Sequence, residues 1–357
     1  MLSKTSLDFL ERFLKSSGPS GFEFEPAALY REYAASFADS VSTDVTGNTI
    51  ACLNPKAKFK VMLAGHYDEI GFQVVYIDDD GFLTFRQVGG IDRLTLPGIE
   101  VDILSGDGRK VPGVIGRKPI HLQTQKERDT PPEIKDLWID IGSESKDETL
   151  KKVRVGDPIA FRVNYRRMGN RIMSKGLDDK IGAFVAIEAL KLLARRKIKV
   201  GVYAVGTVQE ELGLRGAQTS AFEIAPDAAI CVDVGFATDA AGVEKKTWGD
   251  VKLGGGPILS RNGDNNPVMT RILSETAAKH KISCQIDCGH RASGGTDTAE
   301  VQLTRSGVAT ALVSIPNRYM HTPVEICDIR DVEGAVELIA ETIASFTGKE
   351  KFIPGIN

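Results

Sequence analysis

Phe59-Lys60-Val61-Met62-Leu63-Ala64-Gly65-His66-Tyr67-Asp68 is a short apolar run that ends in a histidine and an aspartate. A continuous run of this kind reads as a strand buried on both faces, as in a parallel sheet. The pattern returns three times. Val200 to Val208 is followed by Glu210-Glu211, Ala228 to Val232 by Asp233, and Val308 to Ile315 by the loop that carries His321. In open α/β sheets, ligands gather outside the carboxyl ends of the strands. His66, Glu210, Asp233 and His321 all occupy such positions, so the run predicts an α/β domain with its site at the carboxyl ends of its strands.

Helical periodicity supplies the rest of that domain. Asp179 to Arg195 carries Ile181, Phe184, Val185, Ile187, Ala189, Leu190 and Leu193 at helical spacing, and Pro267 to His280 and Asp331 to Phe346 read as helices. Met1 to Ser17 reads as an amphipathic helix, followed by the turn Gly18-Pro19-Ser20-Gly21 and a hairpin over Val41 to Leu53. The character changes after about Gly71. Six short β-prone runs follow: Val74 to Ile77, Phe82 to Phe85, Ile99 to Leu104, Val111 to Ile115, Leu137 to Ile141 and Pro158 to Val163. They predict a small barrel or sandwich inserted into the α/β domain. Polar Lys118 to Pro132 within it is expected to be a mobile loop. The chain therefore divides into 1–71, an insertion at 72–166, and 167–357.

Composition narrows the class. The chain has 357 residues, 42% hydrophobic and 26% charged, with net charge -3, so it has ample material for a core. A pI near 6.0 points to neither a nucleic-acid nor a membrane partner. The first helix lacks the continuous apolar segment of a secretion signal. Five cysteines, with no CxxC pair, fit a reducing cytosol better than a disulfide framework. A cytoplasmic protein is expected.

The acidic and histidine positions carry the chemistry. His66, Asp178-Asp179, Glu210-Glu211, Asp233 and His321 form a ligand set for two divalent metals, and a spare glutamate beside them is hydrolase equipment. Asp68 could serve as the carboxylate that orients a metal-bound His66, or the pair could be a core histidine and a loop aspartate. Asp178-Asp179 begins a helix, where an aspartate ordinarily caps; one can cap while the other bridges two ions. Of Glu210 and Glu211, one can bind metal while the other acts as general base. Asp233, set between Val232 and Val234, calls for a metal or an arginine. His321 is promoted from a structural histidine only by its place after a buried strand. Gly294-Gly295-Thr296-Asp297 reads as a turn into a helix, or as a glycine wall that a substrate backbone approaches. Gly254-Gly255-Gly256-Pro257 reads as a plain loop. His121, His280 and His290 have no carboxylate cluster beside them, and Cys284 and Cys288 are poorly spaced for zinc.

These motifs, in order, resemble a known family. The run Gly18 to Glu23, Gly65-His66-Tyr67-Asp68-Glu69-Ile70-Gly71-Phe72, Leu177-Asp178-Asp179-Lys180, Gln209-Glu210-Glu211 through Ala217, Asp233, Gly294 to Asp297 and His321-Thr322-Pro323-Val324-Glu325 are similar to those of the tetrahedral (TET) aminopeptidases. These are glutamyl and deblocking metallopeptidases, often labelled endoglucanase or cellulase M. The resemblance covers nearly the whole chain. It implies a three-layer α/β/α catalytic domain with a PDZ-like barrel inserted. It implies two divalent ions, zinc or cobalt: one held by His66 and Asp233, the other by Glu211 and His321, with Asp178 bridging. Glu210 would be the base that activates a metal-bridging water, and Asp68 would orient His66. It also implies a cis peptide at Asp178-Asp179 and dimers assembling into a dodecamer that admits unfolded peptides. Tyr67 departs from the pattern, where many relatives carry Met or Thr.

The expected activity is removal of N-terminal residues from peptides. A related metallo-deacylase or carboxypeptidase is the alternative. A glycoside hydrolase would need two carboxylates and no metal, and a non-catalytic assembly protein would not need the ligand set.

Overall fold

The computed structural model describes residues 2–355; Met1, the edge of the first predicted helix, lies outside the described residues. Lys60–His66 runs near the middle of an eleven-stranded sheet. It is parallel to Gly201–Thr207 on one side and to Ala228–Phe236 on the other, and Ala309–Arg318 continues the parallel set. Antiparallel strands close both edges.

The apolar run reads as continuous because each of its faces meets a separate core. Successive side chains of a strand point to opposite faces. Val61, Leu63, Ile230 and Val232 enter a core with residues of the helices Lys4–Lys15, Leu177–Leu193 and Ile329–Ser345. Met62, Ala64, Ala229 and Cys231 enter the opposite core, under Arg215–Ile224 and Asp297–Gln302. Helix, sheet and helix thus form three layers.

One close approach sets the position of the central helix. A Cβ on Gly65 would stand 2.4 Å from the carbonyl carbon of Gly182 and from the nitrogen of Ala183. Only a strand without a side chain at this point lets the helix lie backbone to backbone against it. That contact brings the start of the helix, with Asp178, beside the end of the strand, with His66.

The six β-prone runs form the six strands of a closed antiparallel barrel: Gly71–Ile77, Leu83–Val88, Trp138–Asp140, Lys110–Gly116, Glu100–Leu104 and Pro158–Phe161, in that spatial order. Closure removes the exposed strand edges. Phe72 fills the interior, edge-on to Phe85 at 5.0 Å and to Phe161 at 5.4 Å between centroids.

Two local readings change. Lys118 to Pro132 is not irregular throughout: it holds a 3-10 turn, Ile120–Leu122, and the helix Gln125–Asp129. A capping box made by Thr124 and Glu127 starts that helix. The strand expected to stop at Val232 runs on to Phe236. Its pairing with Lys60–His66 ends at Cys231, but its pairing with Ala309–Arg318 continues to Phe236. Asp233 therefore sits inside a strand with one open edge. No helix among the described residues is long and apolar enough to cross a membrane.

Candidate metal centre

The sheet register assembles the site. His66 is the last residue of its strand and lies level with Thr207, three residues before Glu210. Asp233 lies two residues past Cys231 and His66 two past Ala64, the last pair in register, so both point to the same face. His321 arrives from the loop after Ala309–Arg318.

Asp178 and Asp179 divide two tasks. They are joined by a cis peptide. Asp179 Oδ1 accepts the Gly182 N–H at 3.0 Å and its Oδ2 accepts the His66 N–H at 3.3 Å. Asp179 thus caps the helix, and Asp178 faces the imidazoles. One oxygen of Asp178 lies 3.1 Å from His66 Nε2 and the other 3.3 Å from His321 Nε2. Around this carboxylate the side chains form two groups: His66, Asp178 and Asp233, and Asp178, Glu211 and His321, each with candidate ligand atoms within 4.8 Å of one another. Glu210 belongs to neither group, yet its Oε2 lies 3.8 Å from His66 Nε2.

Backbone hydrogen bonds to carboxylates hold the frame. His66 Nδ1 lies 3.2 Å from the backbone carbonyl of Asp68 and 3.4 Å from its carboxylate. The two Asp68 oxygens accept the N–H groups of Glu210 and Glu211, both at 3.1 Å. Glu23 accepts the Gln209 N–H at 3.2 Å. Glu325 accepts the Asp178 N–H at 3.0 Å and the His321 N–H at 3.2 Å.

The charge balance is lopsided. Burial and the nearby Asp178 push Glu211 up to about 8 and Asp233 up to about 7. Burial, with Asp233, Asp297 and Glu211 nearby, also raises Glu210 well above the usual carboxylate range. Burial would raise Asp178 too, but hydrogen bonds from His321 and His66 hold it well below. The hydrogen bond to Asp178 lifts His321 to about 9. Buried carboxylates outnumber the imidazoles among them, and such an excess calls for compensating cations. The donors are nitrogen and oxygen only, a set suited to zinc, cobalt or manganese. The residues present fit two divalent ions.

A cavity of about 600 Å³ opens onto these side chains, and Gly294, Gly295 and Thr296 line it. Asp264 holds that wall by accepting the Gly294 N–H at 2.7 Å and the Ser293 hydroxyl. Gly254 to Gly256 form a structural loop, with the N–H groups of Gly254 and Gly256 both 2.7 Å from Asp331. His290 joins neither metal group but lines the cavity, its ring edge-on to Phe236 at 5.2 Å. No spacing signal in the sequence marks it. His280 faces Glu341 at 3.8 Å, Cys284 is pushed up to about 11 by burial, and Cys288 is exposed.

Known proteins are similar to this chain in both sequence and fold. The chain is 34% identical to the lysyl aminopeptidase of Pyrococcus furiosus over 93% of its own length and 94% of that protein's. Its fold matches the TET aminopeptidase of a marine-sediment Thaumarchaeota archaeon with a TM-score of 0.91 at 33% identity, covering 96% of this chain and 97% of that one. It matches the TET1 peptidase of Pyrococcus horikoshii, described as assembling into a tetrahedron or a large octahedral shell, with a TM-score of 0.85 at 33% identity over 96% of this chain and 100% of that one. Residues 47–338 match the pattern of the M42 glutamyl aminopeptidases. That span takes in the barrel and every strand end that carries a candidate ligand, and the chain belongs to the M42 glutamyl aminopeptidase family of peptide hydrolases.

Proposed function

We propose that the protein is a two-metal aminopeptidase that removes N-terminal residues from peptides. The bridging stance of Asp178, one oxygen toward each histidine, carries this reading. His66 and Asp233 would hold one ion, Glu211 and His321 the other, with Asp178 shared. Bound there, divalent zinc or cobalt supplies a Lewis acid and a water made nucleophilic at neutral pH.

The protein's own groups do the rest. Glu210, beside the two metal groups but in neither, takes the proton of the attacking water and hands it to the leaving amine. Asp68 fixes the Glu210-Glu211 backbone and orients His66. Gly294 and Gly295 leave room for the peptide backbone of the substrate. The barrel domain, inserted at 72–166 between the two parts of the catalytic domain (1–71 and 167–357), serves dimerisation and assembly. Dimers build a tetrahedral dodecamer, and the protein acts in the cytoplasm on unfolded peptides. The glycosidase alternative falls with membership of a peptidase family.

The test is hydrolysis of unblocked aminoacyl p-nitroanilides (Leu, Glu, Asp, Lys, Ala), with chelator and with Co²⁺ or Zn²⁺ restored. Release that chelator abolishes and metal restores supports the reading. Cleavage of N-blocked peptides only would transfer the protein to the deacylases, and release of C-terminal residues to the carboxypeptidases.

A further inference from the structure

We infer that Glu325 is the positioning residue of the second cation site, holding the backbones of Asp178 and His321 together in a single carboxylate. The inference rests on the two-metal reading above.

The two ligands reach the site from unrelated elements. Asp178 stands at the start of the helix Leu177–Leu193, and His321 in the loop after Ala309–Arg318. Neither element sets the distance between them. Glu325 does, because its Oε2 accepts the Asp178 N–H at 3.0 Å and its Oε1 the His321 N–H at 3.2 Å. Glu325 is itself fixed. It opens the strand Glu325–Asp328, pairs in register with Ser174, and is 2% exposed.

His321 needs such an anchor. Its φ is 61°, in the left-handed region that residues with a Cβ seldom adopt, and Tyr319 two residues earlier has φ 63°. Such a conformation persists only where the surroundings over-determine it. A hydrogen bond from the His321 N–H to the buried Glu325 carboxylate is a suitable restraint. It leaves Nε2 of His321 3.3 Å from Asp178 and 3.4 Å from Glu211. The other cation site depends less on Glu325. Of its three ligands, His66 and Asp233 have their N–H groups bonded elsewhere or paired in the sheet, and only Asp178 is shared.

Glu325→Gln separates this role from a merely structural one. The amide keeps the volume but turns one of the two acceptors into a donor facing an N–H. The amide oxygen can keep only one of the two partners, and His321, on its left-handed backbone, is the one expected to shift. The experiment titrates Co²⁺ into chelator-stripped full-length protein, wild type and E325Q, by calorimetry, with the visible Co²⁺ absorption recorded at each step. Two ions are expected in the wild type. In E325Q the first should bind nearly as before and the second about 10–100-fold more weakly, with a changed spectrum for that step alone.

Unchanged binding of both ions overturns the inference. Equal weakening of both, alongside a lowered unfolding midpoint, also overturns it and leaves Glu325 a plain structural carboxylate. If E325Q does not fold, E325D is titrated instead. It keeps both acceptors and the charge but sets them back by one methylene, so weaker binding of the second ion alone supports the inference and wild-type affinity overturns it. A wild type that binds fewer than two ions overturns both this inference and the two-metal reading. Two ions in the wild type with unchanged variants overturns the role of Glu325 only.

Discussion

The carboxylate of Asp68 holds the backbone N–H of Glu210 at 3.1 Å, and its other oxygen holds that of Glu211 at the same distance. The proposed general base and a proposed metal ligand thus hang from one side chain, itself fully buried. Asp68→Asn turns one of these acceptors into a donor. A small misplacement of a catalytic group costs rate more than it costs binding. We expect kcat to fall about 100-fold with KM and metal content nearly unchanged, measured by steady-state kinetics and metal analysis.

Glu210→Gln removes the proposed proton acceptor and keeps the shape. Loss of a general base costs about 10²–10⁴-fold in rate. The variant should fold, bind two ions and turn over at that reduced level. Near wild-type kcat in the purified variant would remove Glu210 from the base role.

Chelation should loosen the fold as well as stop activity. Without cations, the buried carboxylates around Asp178 repel one another. Ions that bind only the folded protein stabilise it by about 2.7 kcal/mol at a free concentration 100 times the Kd. Thermal unfolding should therefore shift upward on adding Co²⁺ or Zn²⁺ to stripped protein. An unmoved midpoint would count against ions at this centre.

A buried ion cluster next to the site predicts an acid response. Lys175 and Lys180 both reach Glu69, at 2.6 and 2.7 Å, and both donate to the Ser16 carbonyl. Although burial opposes it, the two ammonium groups hold Glu69 at about 2, below its ordinary 4.5. Because the folded value is the lower one, the stabilisation is present above 4.5 and disappears as pH falls toward about 2. Glu69→Gln strands two buried ammonium groups and should cost about 3–5 kcal/mol near neutral pH. The difference in urea midpoint between wild type and variant should shrink as pH drops through that window.

Gly65→Ala tests the strand–helix contact. The added methyl would meet Gly182 backbone at 2.4 Å, where no side chain can swing aside. Overpacking of this kind costs about 1–3 kcal/mol, seen as a lowered denaturation midpoint. The same change at Gly106, which has open space around it, should be nearly silent.

How much of this was legible in the sequence depended on the range of the interaction. The strands bearing His66 and Asp233, and the strand that leads into the His321 loop, were readable because apolar residues on both faces leave a continuous run. The six barrel strands were readable from their turn-bounded β-prone runs. Longer-range bonds left no local trace. Asp68 follows His66 by two residues, which suggested service to that ring; that its carboxylate also holds a loop beyond Thr207 left no trace in the sequence. Glu325 stood within the quoted motif without a role, because one of its two partners, Asp178, comes from a distant segment. The short helix at Gln125 was hidden by polar composition, although Thr124 and Glu127 spell its capping box.

The placement of the barrel bears on the order in which the chain becomes structured. Lys60–His66 lies between two strands, Gly201–Thr207 and Ala228–Phe236, that come much later in the chain. Three of the barrel's six pairings join strands that are consecutive in sequence, and all six lie within the stretch that precedes Gly201. Local pairings close fast and distant ones slowly. During synthesis the barrel is therefore expected to form while the apolar strand before it still waits for both neighbours, and that strand is the segment a chaperone would have to shield.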